Sequence, residues 1–441
     1  MNTVHSGSTN DHHPNSERSL ALRRAAKASF IGNFIEWFDY ASYGYLVTVI
    51  GHAFFPEADK SVQLLSTYAV FAMSFILRPI GAVVWGAWGD RWGRRWALSW
   101  SILIMAGSTF FIGLLPTYSV IGMASAIGLL VLRMIQGFSA SGEYAGAGTF
   151  LAEYAPPSRR GIYTSLVPAS TACGLLAGSL MVTGMFSVLS DDVMNAWGWR
   201  VPFLLAGPLG LIGRYIRVHL EDSPAYQEMR AEMPQEQKTA SWSEPLRLLL
   251  HDHLRETLIT FGVSCLNAVA FYMLLTYMPT YVHEELGFSQ DTSTLATSMM
   301  LVVYIAAIFL MGHLSDSFGR RRMLIAACVA FIVLTIPLFV VMMKAAGMLA
   351  VVILCEIVFA IALTANDGTL ATFLAESFPT NVRYSGFALS FNGANALLGG
   401  TTPFIVTWLI KVTGSSLAPA VYLTVIAMIA MVAILRSRMI H

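Results

Sequence analysis

The sequence predicts an all-α integral membrane protein: twelve transmembrane helices in two pseudo-symmetric six-helix bundles. Three observations carry this. Of the 441 residues, 56% are hydrophobic and only 12% charged, about half the charge of a soluble domain, with a mean hydropathy of +0.61. Twelve apolar runs are long enough to cross a bilayer, which takes about 20 residues each. One charged loop occurs twice, at half-chain spacing: Gly86-Ala-Trp-Gly-Asp90-Arg91-Trp-Gly93-Arg94-Arg95 and Gly312-His-Leu-Ser-Asp316-Ser-Phe-Gly319-Arg320-Arg321 both read G-x-x-x-D-x-x-G-R-R, 226 residues apart. A repeat of this length is the mark of two similar halves in one chain.

Residues 1–28 form a polar N-terminal segment with no apolar core or cleavage pattern, so it reads as a cytoplasmic tail and not as a signal peptide. His12-His13 could meet a metal only in passing. The first bundle, 29–218, holds runs at 29–51, 64–88, 96–115, 120–151, 161–188 and 200–218. A polar stretch rich in Glu, Arg, Gln and Pro, 219–255, separates it from the second bundle, 256–435. There the runs fall at 256–281, 292–314, 323–343, 346–374, 384–410 and 417–435, leaving 436–441 as a short C-terminus. Lys and Arg set the orientation. With the N-terminus inside, Arg23, Arg24, Lys27, Arg91, Arg94, Arg95, Arg159, Arg160, Arg320, Arg321, Arg322, Arg383, Arg436 and Arg438 are all cytoplasmic. Lys60, Arg200, Lys344 and Lys411 are the basic residues left outside. Both termini are therefore expected in the cytoplasm.

A second repeat supports the two halves: Ala152-Glu153-Tyr-Ala-Pro156-Pro-Ser-Arg-Arg160 matches Ala375-Glu376-Ser-Phe-Pro379-Thr-Asn-Val-Arg383, 223 residues on. Acid and base recur together on one membrane side at both sites. Positive-inside anchoring explains the arginines alone. The recurring acids point further, to a charge latch at the cytoplasmic face made from Asp90, Arg94, Glu153, Arg160, Asp316, Arg320, Glu376 and Arg383. Such a latch would hold one packing of the halves and break in another, as alternating access requires.

Ionisable side chains at membrane depth are costly and are functional candidates by default. On the first helix Asn33, Glu36, Asp39 and Tyr43 recur at spacings of three or four and share a face. Asp39 lies roughly 15 Å in from the cytoplasmic end at about 1.5 Å per residue, near the midplane. Two acids so close repel when both are charged, which suits one of them to exchanging a proton. On the fourth helix Arg133 needs an acidic partner; Asp39 is the first choice and Glu36 the second. A static ion pair is one reading of that couple, and a proton-switched pair the sharper one. Arg78, before Pro79 on the second helix, either joins this network or satisfies a proline-broken helix. The 223-residue offset maps Arg133 onto Glu356 and Glu143 onto Asn366, so the fold repeats while the chemistry does not. Proton coupling is thus expected at Asp39, Arg133 and Glu36. Asn33, Trp37, Tyr43, Arg78, Gln136, Glu143, Asn267, Tyr272 and Asn366 are the expected substrate residues. Aromatic faces among these could receive a quaternary ammonium group, although ordinary packing explains any single ring.

Gly32-Asn33-Phe-Ile-Glu36-Trp37-Phe38-Asp39-Tyr40, Arg78-Pro79-Ile-Gly81, Gln136-Gly137-Phe-Ser-Ala-Ser-Gly142-Glu143-Tyr144, Trp197-Gly-Trp-Arg200-Val-Pro202, Glu221-Asp-Ser-Pro224 and Tyr272-Met-Leu-Leu-Thr-Tyr277-Met-Pro279 resemble the metabolite:proton symporter family of the major facilitator superfamily. The seventh helix is most similar to its proline/betaine branch, while the fifth, Ser165-Leu-Val-Pro168-Ala-Ser-Thr171, lacks the aspartate found there in that branch's best-known member. The resemblance implies a secondary active transporter in a bacterial inner membrane. It would take up a zwitterionic osmolyte such as proline or glycine betaine with protons or, alternatively, an organic acid such as 2-oxoglutarate, citrate or shikimate.

No His-Glu-x-x-His or Gly-x-Ser-x-Gly segment supports an enzyme, and Cys173, Cys265, Cys328 and Cys355 have no metal-ligand spacing. The expected partners are a small solute, protons and the lipid bilayer. No nucleic acid, cofactor or metal is expected, and the chain is expected to act as a monomer driven by the proton gradient.

Overall fold

In the computed structural model, residues 14–218 and 247–437 are described, apart from 57, 59, 93, 248, 250, 346, 380 and 381. The described residues form helices and no strand. Twelve helical rods run as α1 (14–54), α2 (60–92), α3 (Arg94–Leu114), α4 (Met123–Tyr154), α5 (Pro157–Val188), α6 (Arg200–Val218), α7 (Leu254–Glu284), α8 (Gln290–Phe318), α9 (Arg320–Lys344), α10 (Leu349–Glu376), α11 (Arg383–Thr413) and α12 (Ala418–Arg436). Nine of these, among the described residues, are apolar and long enough to span a bilayer. Of the remaining three, α1 carries Glu36 and Asp39 and α6 carries Arg200 and Arg214, while α3 is apolar over Ser99–Leu114.

α1 starts at Pro14, earlier than the span expected from 29. Pro suits a first helical position, and the Ala, Leu, Arg and Glu that follow are good helix formers, so polarity alone did not stop the helix. The tail to residue 13, including His12-His13, and the central stretch 219–246, including Glu221-Asp-Ser-Pro224, lie outside the described residues.

Within the first half α1 packs on α5, and α3 on α6; within the second, α8 packs on α10, α9 on α12 and α7 on α11 and α12. The halves meet along two seams, α5 with α8 and α2 with α11. The repeat exchanges these seams, as a pseudo-two-fold axis demands.

Several rods are broken where the seams and the midplane need it. α2 breaks at Leu77, just before Arg78-Pro79, because a proline has no N–H to give to the preceding turn. α7 passes through a π-helical turn at Tyr272–Tyr277 ahead of Pro279, and α11 through another at Asn395–Gly399 ahead of Pro403. Such turns carry one extra residue and swing side chains out of helical register; in α7 this presents Tyr272 toward α1. Gly137 lets α2 and α4 touch backbone to backbone: a Cβ there would lie 1.6 Å from the Ser74 carbonyl oxygen.

Candidate functional site

α1 supplies the centre of the site, and its helical spacing brings Asn33, Glu36, Asp39, Tyr40 and Tyr43 to the neighbouring rods; all five are buried. Arg133 of α4, fully buried, meets Asp39 at 3.2 Å. Arg133 also donates to the Gln136 side-chain oxygen at 2.5 Å, while the Gln136 amide donates to Asp39 and, at 2.7 Å, to Thr109 of α3. The guanidinium lies 3.9 Å from the Tyr43 ring centroid, and the Tyr43 hydroxyl donates to the Thr67 carbonyl of α2 at 2.9 Å. Yet the network is incomplete: Asp39 Oδ1 and Arg133 Nε and Nη2 have no partner among the described residues. A buried ion pair with unmet hydrogen-bonding capacity is poor glue, because desolvation offsets its Coulomb attraction. It is well suited to being broken and remade.

Arg78 forms the second couple. Its Nη2 donates to Glu36 at 2.7 Å and to the Tyr40 hydroxyl at 2.8 Å. The guanidinium sits 4.4 Å from the Phe75 ring centroid and 5.1 Å from that of Tyr40. The two couples are thus separate, Asp39 with Arg133 and Glu36 with Arg78, and Tyr40 lies between both arginines.

Beside Arg78 a shell of rings joins the two halves. Trp37 packs on Phe271 and Tyr272 of α7 with centroids 4.8 and 5.7 Å apart, and on Tyr40 at 5.4 Å. Tyr272 reaches Phe75 at 5.1 Å and Phe71 at 6.2 Å. Trp37 Nε1, Tyr272 Oη and Arg78 Nε are buried donors without partners among the described residues. Such groups are costly unless something meets them. Aromatic faces with convergent unmet donors could receive a small zwitterion: the rings for its cationic end, the N–H and O–H groups for its carboxylate.

The other expected site residues are placed apart. The Asn33 amide reaches the Val167 carbonyl of α5 at 3.4 Å. Glu143 accepts from Ser101 of α3 at 2.8 Å. Asn267 donates to Asp367 of α10 at 2.5 Å, and Tyr304 of α8 donates to the same carboxylate. Asn366 is buried, and its side-chain oxygen has no partner among the described residues. Asp367, Tyr304, Phe71, Phe75 and Thr109 join the site beyond the residues expected from the sequence. An acid in an apolar run was a sufficient signal for Asp367, whereas no local pattern separates Phe71 and Phe75 from other core rings.

At the basic end the halves are joined crosswise. Arg160 of α5 meets Glu376 at the end of α10 at 3.4 Å, and Arg383 of α11 meets Glu153 at the end of α4 at 3.5 Å. Asp316 accepts from the backbone N–H groups of Gly161 and Ile162 at 2.8 and 3.1 Å, so an acid of one half caps a helix start in the other. Arg320 ties this cap to the rest, 2.7 Å from Asp316 and 3.6 Å from Glu376. Glycine is needed here: a Cβ on Gly161 would lie 2.4 Å from the Gly312 carbonyl oxygen. The side chains of Asp90 and Arg94 lie outside the described residues. Because charge-assisted hydrogen bonds contribute about 1.5–3 kcal/mol, Asp316→Asn is expected to favour separated basic ends by roughly ten- to hundredfold. Thiol labelling of a cysteine at the Thr164–Thr372 contact, 2.5 Å across the seam, would read this; unchanged labelling would count against a latch.

A model of the Major Facilitator Superfamily matches residues 29–403 and 263–439. The glycine betaine/proline/ectoine/pipecolic acid transporter OusA of Dickeya dadantii is 37% identical over 411 residues, covering 92% of this chain and 81% of that protein. A proline/betaine transporter of Salmonella typhimurium is 37% identical over 414 residues, covering 93% and 82%. Among solved structures, the proton:xylose symporter XylE bound to 6-bromo-6-deoxy-D-glucose superposes with a TM-score of 0.75 at 20% identity, covering 95% of each chain, a likeness of fold. The twelve-helix architecture, the repeated loops and these matches together establish that the chain belongs to the Major Facilitator Superfamily, as a multi-pass membrane transporter.

Proposed function

We propose that this transporter takes up a small zwitterionic osmolyte, of the proline or glycine betaine kind, together with protons across the bacterial inner membrane. The observation that carries the reading is the ring shell of Trp37, Tyr40, Phe71, Phe75, Phe271 and Tyr272, with Arg78 at its edge. The relatives named for betaine and proline support it. The ring faces take the ammonium end, and Arg78 with the Trp37 and Tyr272 donors takes the carboxylate. Because the shell is shared by the two halves, solute bound there is released as they rock apart. A proton on Asp39 neutralises it and frees Arg133, so proton binding and the change of packing become one event. The chain works as a single copy, with the basic end and both termini in the cytoplasm, where the crosswise ion pairs form the inner gate.

Uptake of radiolabelled betaine, proline, 2-oxoglutarate and shikimate at two pH values tests this. The zwitterions should accumulate, more strongly when the outside is acidic. A preference for 2-oxoglutarate or shikimate would favour the second reading, an organic acid held by Arg78 and the unmet Nε and Nη2 of Arg133. Removing the main ring, Trp37→Ala, should cost about 0.5–2 kcal/mol of cation–π attraction and raise the KM for betaine roughly two- to thirtyfold, while Trp37→Phe retains most of the affinity. Equal KM values in all three proteins would place the solute elsewhere.

A further inference from the structure

Glu356 lies on α10 and is 0% exposed, and neither carboxylate oxygen has a hydrogen-bonding partner among the described residues. α8 sets Thr297 beside it, its hydroxyl close enough to hydrogen-bond the carboxyl after a small adjustment. α1 brings the Tyr45 hydroxyl within electrostatic reach, and Cys355 neighbours it on its own helix. Among the described residues no Lys, Arg or His pairs with it. Asp367, eleven residues along α10, differs in being held by Asn267 and Tyr304. A charged carboxylate without a cation at such a place in a membrane is costly, and a bound proton would remove that cost.

Its position gives that proton a use. Next to Thr297, Ser298 bonds across the seam to Ser179 of α5, and Tyr45 donates across it to the Leu275 carbonyl at 2.9 Å. These contacts close the seam at the end opposite the basic one. When it parts, Tyr45 and Ser179 leave with the first half, water reaches Thr297 and Glu356, and the carboxyl can ionise. By the repeat, Glu356 also occupies the place of Arg133: one half offsets its buried cation with Asp39, the other offsets its buried acid with a proton.

We propose that Glu356 is a second proton-binding residue, loaded from water on the face opposite the basic one while the Tyr45–Ser179–Ser298 seam is open and required for that seam to close. The step moves a proton from hydronium to a carboxylate oxygen and releases water. It deepens the proton-coupled reading above and rests on it. Closure then consumes a proton, so the open seam is favoured by up to about tenfold per pH unit once the exposed carboxyl is ionised.

The test uses the full chain in nanodiscs, with spin labels at Val188 and Val412, both exposed and near that end, in an Asp39→Asn background so that Asp39 does not titrate. Pulsed electron resonance distances should show the open fraction rising with pH by up to about tenfold per unit, and adding Glu356→Gln should flatten the response. A pH-independent seam before Glu356 is altered, or an unchanged slope after, overturns the proposal. Infrared difference spectra supply a second reading if the glutamine variant yields too little protein. A titrating carboxyl C=O signal should persist in Asp39→Asn and move in Glu356→Asp; a signal identical in that variant overturns the proposal. Failure of Asp39→Asn to affect proton-driven uptake would sink the Asp39 mechanism without touching either result.

Discussion

Asp39→Asn is expected to abolish proton-driven accumulation while leaving solute counterflow intact. Asparagine keeps the size of the side chain and one oxygen to accept from Gln136 and Arg133, and, like the protonated acid, it leaves the Arg133 charge unbalanced. What is lost is the charge that alternately holds and frees Arg133. With no proton to bind, the halves still rock with solute aboard, and exchange of labelled for unlabelled solute continues. Net uptake against a gradient should fall to passive equilibration in proteoliposomes with an imposed pH gradient. Accumulation at the wild-type level would remove Asp39 from the coupling mechanism. Loss of counterflow as well would mean that the Asp39–Arg133 pair is structural.

The second large effect is expected at the other couple. Arg78→Met strips Glu36 of its 2.7 Å partner and Tyr40 of its donor. Breaking a buried pair from one side costs about 3–5 kcal/mol, a large share of a typical folding stability of about 5–15 kcal/mol. Folded yield should drop sharply. The double change Glu36→Gln with Arg78→Met removes both charges, and such neutral replacements are often tolerated, so yield should recover. Uptake should not recover, because the cation facing the ring shell is gone. Measuring both quantities in both variants separates the roles: recovery of uptake in the double variant would make Arg78 a structural residue alone.

How much of this was written in the chain depends on range. The twelve rods and two halves could be read directly, since apolar run length and an exact loop repeat are local properties that the bilayer converts into architecture. The candidates on α1 were legible for a related reason: Glu36 and Asp39 are acids in an apolar helix, and spacings of three and four put them on one face. Partner choice was legible in part. Arg133 demanded an acid, but whether that was Asp39 or Glu36 turned on the depth and rotation of α4, which no spacing reveals. The start of α1 at Pro14 was missed because a polar segment looks the same to a hydropathy reading whether it is helical or not.

Sequence alone therefore determined the membrane setting, the duplicated bundle and the residues that could not be ordinary lipid-facing side chains. Tertiary structure decided which charges neutralise which. It separated Asp39–Arg133 from Glu36–Arg78, crossed Arg160 to Glu376 and Arg383 to Glu153, and gathered Phe71 and Phe75 around Tyr272. It also left Glu356 without a cationic partner among the described residues. The physical reason is that helix periodicity is set within a few residues, whereas ion pairing and ring stacking depend on how rods from distant parts of the chain are rotated and packed against one another.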